Sequence, residues 1–335
     1  MKHINVALFV PDEGCPNRCS FCNQKTISGK VKALECEEVD AAVKTALKSN
    51  AHTSEGEIAF FGGSFTAIEK SYMISLLERA KVYVDKGYFK GIRISTRPDC
   101  IDDEILSLLK KYGVTSIELG CQSMDDRVLM MNNRGHKSDC VVKSAKLIKS
   151  YGFELGVQMM TGLYGDTDKT TTETAQKLIA LNPDTVRIYP TVVLENTKLH
   201  ELYLKGVYVP QTVEEAVELC SVLIEMFEKA NVKVIRVGLH SGGNVEEGFV
   251  AGAFHPAFKE LCDSRIYLNE VIRQLKEKDI QKGTIEISVS SRYISALKGQ
   301  KKSNISHLTQ MGYKTEIIRQ DGLQKYEVSV RGKQI

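Results

Sequence analysis

The sequence predicts an α/β fold: a partial TIM-type barrel of six strand–helix units, (β/α)6, followed by a small α+β domain. Three observations carry this expectation. Apolar runs of strand length alternate with amphipathic runs of helix length through residues 4–190, the pattern of a parallel sheet with helices on its outer face. Segments rich in glycine, cysteine and amide side chains each fall immediately after an apolar run, where the loops of such a barrel converge on one mouth. A chain of 335 residues, 42% hydrophobic, is long enough for one barrel-sized core and a small appendage.

Strand one is expected over residues 4–10, and the loop Gly14-Cys15-Pro16-Asn17-Arg18-Cys19-Ser20-Phe21-Cys22-Asn23 follows it. A helix over 37–48 leads to strand two, 57–61, which ends in Gly62-Gly63-Ser64-Phe65. A helix near 69–85 precedes strand three, 91–95, and then Ser95-Thr96-Arg97-Pro98-Asp99. The helix 102–112 precedes strand four, 115–119, which runs into Gly120-Cys121-Gln122-Ser123. A helical stretch containing Asn133-Arg134-Gly135-His136 and a helix over 138–151 lead to strand five, 154–160, ending at Thr161-Gly162-Leu163. The helix 170–181 brings strand six, 185–189, followed by Pro190-Thr191. Beyond these six units the pattern gives a helix over 213–230, a strand over 233–239 and a helix over 257–278. The C-terminal piece reads as strand 284–289, helices 291–297 and 304–311, and strands 314–319 and 325–330. The expected domains are therefore a barrel over 1–230, a connecting segment over 231–282 packing on it, and a small α+β domain over 283–335.

Composition excludes several classes. No apolar run approaches the roughly eighteen residues of a membrane span, and residues 1–11 are too short for a secretory signal, so a cytoplasmic protein without a membrane partner is expected. Nine cysteines without such a signal argue for reduced thiols rather than a disulfide framework. Six of them, Cys36, Cys100, Cys121, Cys140, Cys220 and Cys262, are scattered singly and read as small core residues. The net charge of +3 does not announce a nucleic-acid partner.

The chemistry concentrates in the first loop, where Cys15, Cys19 and Cys22 follow the spacing Cys-x3-Cys-x2-Cys. A cubane iron–sulfur cluster takes four ligands, so three thiolates hold three irons and leave one open. A structural zinc loop is the alternative, although zinc sites usually pair C-x2-C with a second such pair or with H-x3-5-H, and no partner pair occurs here. With Phe21 before the last cysteine, the loop resembles the signature of the radical S-adenosylmethionine (SAM) enzymes. That resemblance implies a 4Fe–4S cluster whose open iron is chelated by SAM, reductive cleavage to a 5′-deoxyadenosyl radical, and a cellular electron donor such as flavodoxin or ferredoxin.

Gly62-Gly63 matches the family motif for the SAM amino group, with Ser64 beside it; in isolation a Gly-Gly is usually a turn. The strings Ile117-Glu118-Leu119-Gly120-Cys121-Gln122-Ser123 and Asn132-Asn133-Arg134-Gly135-His136 resemble the radical SAM core of the Elongator catalytic subunit. Less fully, they resemble the oxygen-independent coproporphyrinogen oxidases. The likeness implies that Gln122 and Arg134 contact SAM, a guanidinium being suited to a carboxylate. Ser95, in Ser95-Thr96-Arg97-Pro98-Asp99, belongs to the same expected SAM set. Gly162 matches a turn that backs the adenine in the family, with Tyr164 in place of its proline. The Elongator likeness covers most of residues 5–210 and weakens after 230. The acetyltransferase domain of that subunit is absent from the sequence, so carboxymethylation of wobble uridine from acetyl-CoA does not simply carry over.

Glu118, inside an apolar strand, needs a buried partner. Tyr189 at a strand end, and His240 and His255 in glycine-rich loops, are the candidate catalytic side chains, with a core tyrosine and surface histidines as the alternatives. From residue 292 to 333 there are nine basic residues against three acidic. The turn Gly299-Gln300-Lys301-Lys302 between two helices is similar to the Gly-x-x-Gly loop of KH modules, with Lys302 in place of the second glycine; a solvated basic face is the alternative. The readings are thus a radical SAM enzyme acting on RNA (tRNA), one acting on a small molecule or tetrapyrrole, and a non-catalytic RNA-binding protein with a structural metal loop.

Overall fold

Residues 5–10, 15, 18–23, 26, 32–49, 53–239 and 245–333 are described by the structure, a computed structural model. Seven strands form one parallel sheet: β1 (Val6–Val10), β2 (Glu57–Gly62), β3 (Gly91–Thr96), β4 (Val114–Gln122), β5 (Glu154–Thr161), β6 (Thr185–Pro190) and β8 (Lys233–Val237). The order is sequential, so each crossover lays its helix on the same outer face and the sheet curls into a partial barrel. Those helices are α1 (Cys36–Lys48), α2 (Lys70–Asp85), α3 (Asp103–Lys111), α5 (Ser138–Ser150) after the short α4 (Asp126–Met131), and α6 (Asp168–Ile179). The helix α8 (Val213–Lys229) then precedes β8. Their starts are written locally: the Asp102 carboxylate accepts from Ile105 N–H, and Thr212 and Glu215 form a reciprocal capping box.

Alternation along each strand decides what the two sheet faces hold. Ile92, Ile94, Ile117, Leu119, Leu155, Val157, Val186 and Ile188 are buried in the single core shared with the helices. The intervening residues turn inward, and the parallel register sets Ser95 beside Glu118, Glu118 beside Gly156, and Gln158 beside Arg187. A side chain on Gly156 would meet the Glu118 Cγ at 2.8 Å, so the missing Cβ makes room for that carboxylate.

Two features of this architecture differ from the expectation. The strand over 233–237 pairs with β6 as a seventh barrel strand, so the barrel extends past residue 230. In addition, β7 (Val192–Leu194), which follows β6, and β9 (Phe249–Gly252), which follows β8, form an antiparallel pair beside α7 (Lys198–Leu204), none of which the periodicity signals. Strands of three and four residues are too short to show a period.

The helix α9 (Phe258–Glu277) is shared by two cores. Its first half, with Phe258, Cys262 and Ile266, packs into the barrel core; its second, with Tyr267, Val271 and Leu275, packs under the C-terminal sheet. That sheet has β10 (Gly283–Val289) at its centre, parallel to β11 (Tyr313–Arg319) and antiparallel to β12 (Ser329–Gly332). The helices α10 (Ile294–Lys298) and α11 (Ser303–Gln310) lie between β10 and β11.

Candidate cofactor site

The C-terminal ends of the strands enclose a cavity of about 670 Å3, lined by Cys15, Cys19 and Cys22 together with Gly62, Gly63, Ser64, Ser95, Gln122 and Arg134. All three cysteines of the spaced motif therefore line one space. Among the described residues no three His, Cys, Asp or Glu side chains are arranged around a single metal ion. A cubane does not require that, because each thiolate ligates a different iron.

The cysteine loop is held by the segment after β4. Ser20 N–H donates to the Asn132 carbonyl at 3.0 Å and its hydroxyl to Asn132 Oδ1 at 2.7 Å, while Asn133 Nδ2 donates to the Arg18 carbonyl at 2.8 Å. From the other side, Leu199 N–H donates to the Ser20 carbonyl at 2.7 Å and Asn23 Nδ2 to the Glu195 carbonyl at 2.9 Å. The loop is thus anchored to distant elements whose amides carry no apolar signal.

Gly62 sits at φ +119°, and a Cβ there would lie 2.1 Å from the Val10 carbonyl oxygen. Gly63 N–H donates to that same oxygen at 3.3 Å. The Gly-Gly pair therefore brings the ends of β1 and β2 together, and leaves Gly63 backbone on the cavity wall.

An irregularity of register between Gly120 and Gln122 ends β4, with Gln122 at φ +66°. The Gln122 Oε1 atom is buried and has no partner among the described residues. Arg134 sends Nη2 to the Gly120 carbonyl and Nη1 to Cys19 Sγ at 3.3 Å, leaving buried Nε without a partner. On these two lining residues one acceptor and one donor thus remain, which fits a ligand with both an ammonium or hydroxyl and a carboxylate. A third unpartnered atom on the wall, and the second donor, is Arg97 Nη1; that guanidinium pairs with Asp99 at 2.8 and 2.7 Å. Asp99 is held below the usual carboxylate range, because the Arg97 guanidinium outweighs the partial desolvation that would raise it.

Beneath the mouth lies a buried charge network. Glu118 accepts from Arg187 Nε at 2.6 Å and Nη2 at 2.9 Å, and from Gln158 Nε2 at 2.9 Å. Arg93 bridges Glu57 at 2.7 Å and Glu154 at 2.8 Å and reaches Glu118 at 3.4 Å. The partner that Glu118 requires is therefore Arg187, with Arg93 behind it. Gln158 links this network to the cavity it lines.

Other expected site residues lie elsewhere. Tyr189 is off the wall of this cavity; it lies close to the Arg187 guanidinium, and burial raises the pKa of its phenol. His255 is also off that wall, and its Nδ1 accepts from Ala257 N–H at 3.0 Å near the start of α9. His240 lies outside the described residues. Gly162 lines a neighbouring cavity of about 580 Å3 with Tyr208 and Gln211, and its carbonyl accepts from the Tyr208 hydroxyl at 2.6 Å. Phe21, by contrast, stands on the main cavity. Among the single cysteines, burial pushes the Cys121 thiol up to about 12, as suits a core residue.

Sequence reasoning left Arg97, Gln158, Asn132 and Asn133 without roles. The run Asn132-Asn133 directly before Arg134 and the string Ser95-Thr96-Arg97-Pro98-Asp99 marked three of them by position, while nothing in the sequence marked Gln158.

This chain belongs to the radical SAM superfamily: residues 10–178 match that family, and residues 183–268 match its C-terminal domain. The family implies a 4Fe–4S cluster and SAM, and the thiols and the unpartnered groups on one wall fit both. The chain is similar to the tRNA uridine(34) acetyltransferase of Methanocaldococcus infernus, 28% identical over 189 residues, covering 50% of this chain and 35% of that protein. It is also similar to human Elongator complex protein 3, 30% identical over 192 residues, covering 51% and 35%. It thus spans about a third of the length of these two relatives. In fold it matches the archaeal Elp3 of Methanocaldococcus infernus with a TM-score of 0.64 at 20% identity, over 84% of this chain and 66% of that one. No helix among the described residues is long and apolar enough to cross a membrane.

Proposed function

We propose that this protein is a radical SAM enzyme that modifies RNA, with tRNA as the substrate class. The observation that carries the catalytic half is the convergence of Cys15, Cys19 and Cys22 on the cavity that also holds Gln122, Arg134 and the Gly62-Gly63 backbone. In this reading the three thiolates hold the cluster; Gly63 backbone, Ser64, Ser95, Gln122 and Arg134 hold SAM; Phe21 covers the cluster loop. Bound there, the cluster and SAM would supply radical chemistry for hydrogen abstraction from the substrate. The chain's own part is to fix the loop through Asn132 and Asn133 and to offer a donor and an acceptor at set positions.

The RNA half rests on the relatives whose names specify tRNA uridine, and on the turn between α10 and α11. Lys298, Lys301 and Lys302 are exposed there, with Gly299, Lys301 and Lys302 all at positive φ. We assign this turn to phosphate contact, in the manner of a KH module. Tyr189 is assigned to the substrate side of the barrel interior beside Arg187; His240 and His255 remain candidates for proton transfer.

Anaerobic cluster reconstitution followed by a 5′-deoxyadenosine assay with and without bulk tRNA tests both halves. A brown protein absorbing broadly at roughly 400 nm, with cleavage stimulated by tRNA, is expected. A colourless zinc protein would refute the catalytic half, and absence of tRNA affinity at low salt would refute the other.

A further inference from the structure

Arg134 is a buried cation with an incomplete set of partners. It is 7% exposed. Three arginines inside the barrel are matched by carboxylates: Arg93 by Glu57 and Glu154, Arg97 by Asp99, Arg187 by Glu118. Among the described residues Arg134 has no such partner; its bonds go to the Gly120 carbonyl and to Cys19 Sγ, 3.3 Å from Nη1. A desolvated guanidinium is costly without an anion, and a neutral thiol is a weak acceptor. Both difficulties vanish if Cys19 is a thiolate.

The contact is fixed rather than incidental. Arg134 N–H donates to the Leu129 carbonyl at 3.0 Å, and the Arg134 carbonyl accepts from Arg97 Nη2 at 2.8 Å. Its two predecessors, Asn132 and Asn133, grip the cysteine loop at Ser20 and Arg18. One tripeptide therefore holds the loop and aims a cationic donor at one of its sulfurs.

We infer that Arg134 is a positioning residue that tunes the cluster, its Nη1–H donating to the Cys19 thiolate. This rests on the reading that Cys15, Cys19 and Cys22 hold the cluster, and adds to the SAM contact already assigned to Arg134 a second role that needs no SAM. On reduction one electron enters the cluster, taking its core from 2+ to 1+, and no proton moves. A donor to a ligand sulfur and a nearby positive charge both favour the more negative state, so they raise the reduction potential.

The test is a dithionite redox titration of the reconstituted whole chain, without SAM, read by the electron paramagnetic resonance signal of the reduced cluster. Arg134→Gln, which removes the charge, is expected to lower the one-electron reduction constant about tenfold, a shift of about 59 mV to more negative potential. Arg134→Lys, which keeps the charge but loses the fork, is expected to fall between. Wild-type protein carrying guanidino-15N arginine gives a second readout that needs no variant. A 15N coupling to the reduced cluster is expected, and is expected to vanish in Arg134→Lys. An unmoved potential in variants that hold wild-type iron overturns the inference, as does a labelled wild type without 15N coupling. A wild type that never takes up about four irons instead overturns the reading beneath it.

Discussion

Replacing Glu118 with glutamine tests whether the barrel interior is a compensated ionic network. Glu118 is 1% exposed, and its two oxygens receive Arg187 Nε and Nη2 at 2.6 and 2.9 Å. Glu118→Gln keeps the shape but leaves Arg187 with no carboxylate and turns an amide donor toward a guanidinium. Two charges about 4 Å apart at an effective dielectric of about 20 interact by about 4 kcal/mol, and breaking a buried pair from one side costs about 3–5 kcal/mol. With about 2–4 °C of melting temperature per kcal/mol for a domain of this size, circular dichroism melts of the whole chain should show a fall on the order of 10 °C. Removing both partners with Glu118→Leu and Arg187→Leu should restore much of that loss, because no lone charge remains. A fall of less than about 2 °C in Glu118→Gln, or a double variant worse than either single one, would show that the pair does not carry the energy assigned to it.

Three further outcomes follow from the structure. His136 has its pKa lowered from 6.5 to about 4 by burial, with the charge of Arg134 adding to it. Between those values the unfolded chain takes up a proton the folded chain refuses, so stability is lost as pH falls through that window, by up to about 3 kcal/mol; urea midpoints against pH should show the loss in wild type and a flatter profile in His136→Gln. Gly62→Ala places a Cβ 2.1 Å from the Val10 carbonyl at φ +119° and should cost about 2–4 kcal/mol while reducing iron uptake, measured by melting and iron content. Reversing Lys301 and Lys302 to glutamate should weaken tRNA binding and flatten its salt dependence by roughly one unit of slope per lysine in filter binding; an unchanged slope would place the RNA contact elsewhere.

Much of the fold was legible in the chain because its signals are local. The apolar runs of β2 to β6 and the amphipathic runs between them specify strands and helices from neighbouring residues, and the spacing of Cys15, Cys19 and Cys22 marks one loop without reference to anything distant. The expected need of Glu118 for a buried partner was also readable, since a carboxylate among Ile117, Leu119 and Cys121 has no solvent to turn to. Its partner was not readable, because Arg187 lies sixty-nine positions away and is brought there by strand order alone.

The sequence by itself therefore determined the main strands and helices and the three thiols that share one loop, all of which depend on neighbours a few residues apart. Only the tertiary structure decided that residues 233–237 close onto β6, that Asn132 and Asn133 clamp the cysteine loop, and that Arg134 faces Cys19. It also decided that Tyr189 and His255 stand off the cavity the cysteines line. Those outcomes depend on which surfaces are buried together and which polar atoms are left to satisfy one another, and no spacing along the chain encodes them.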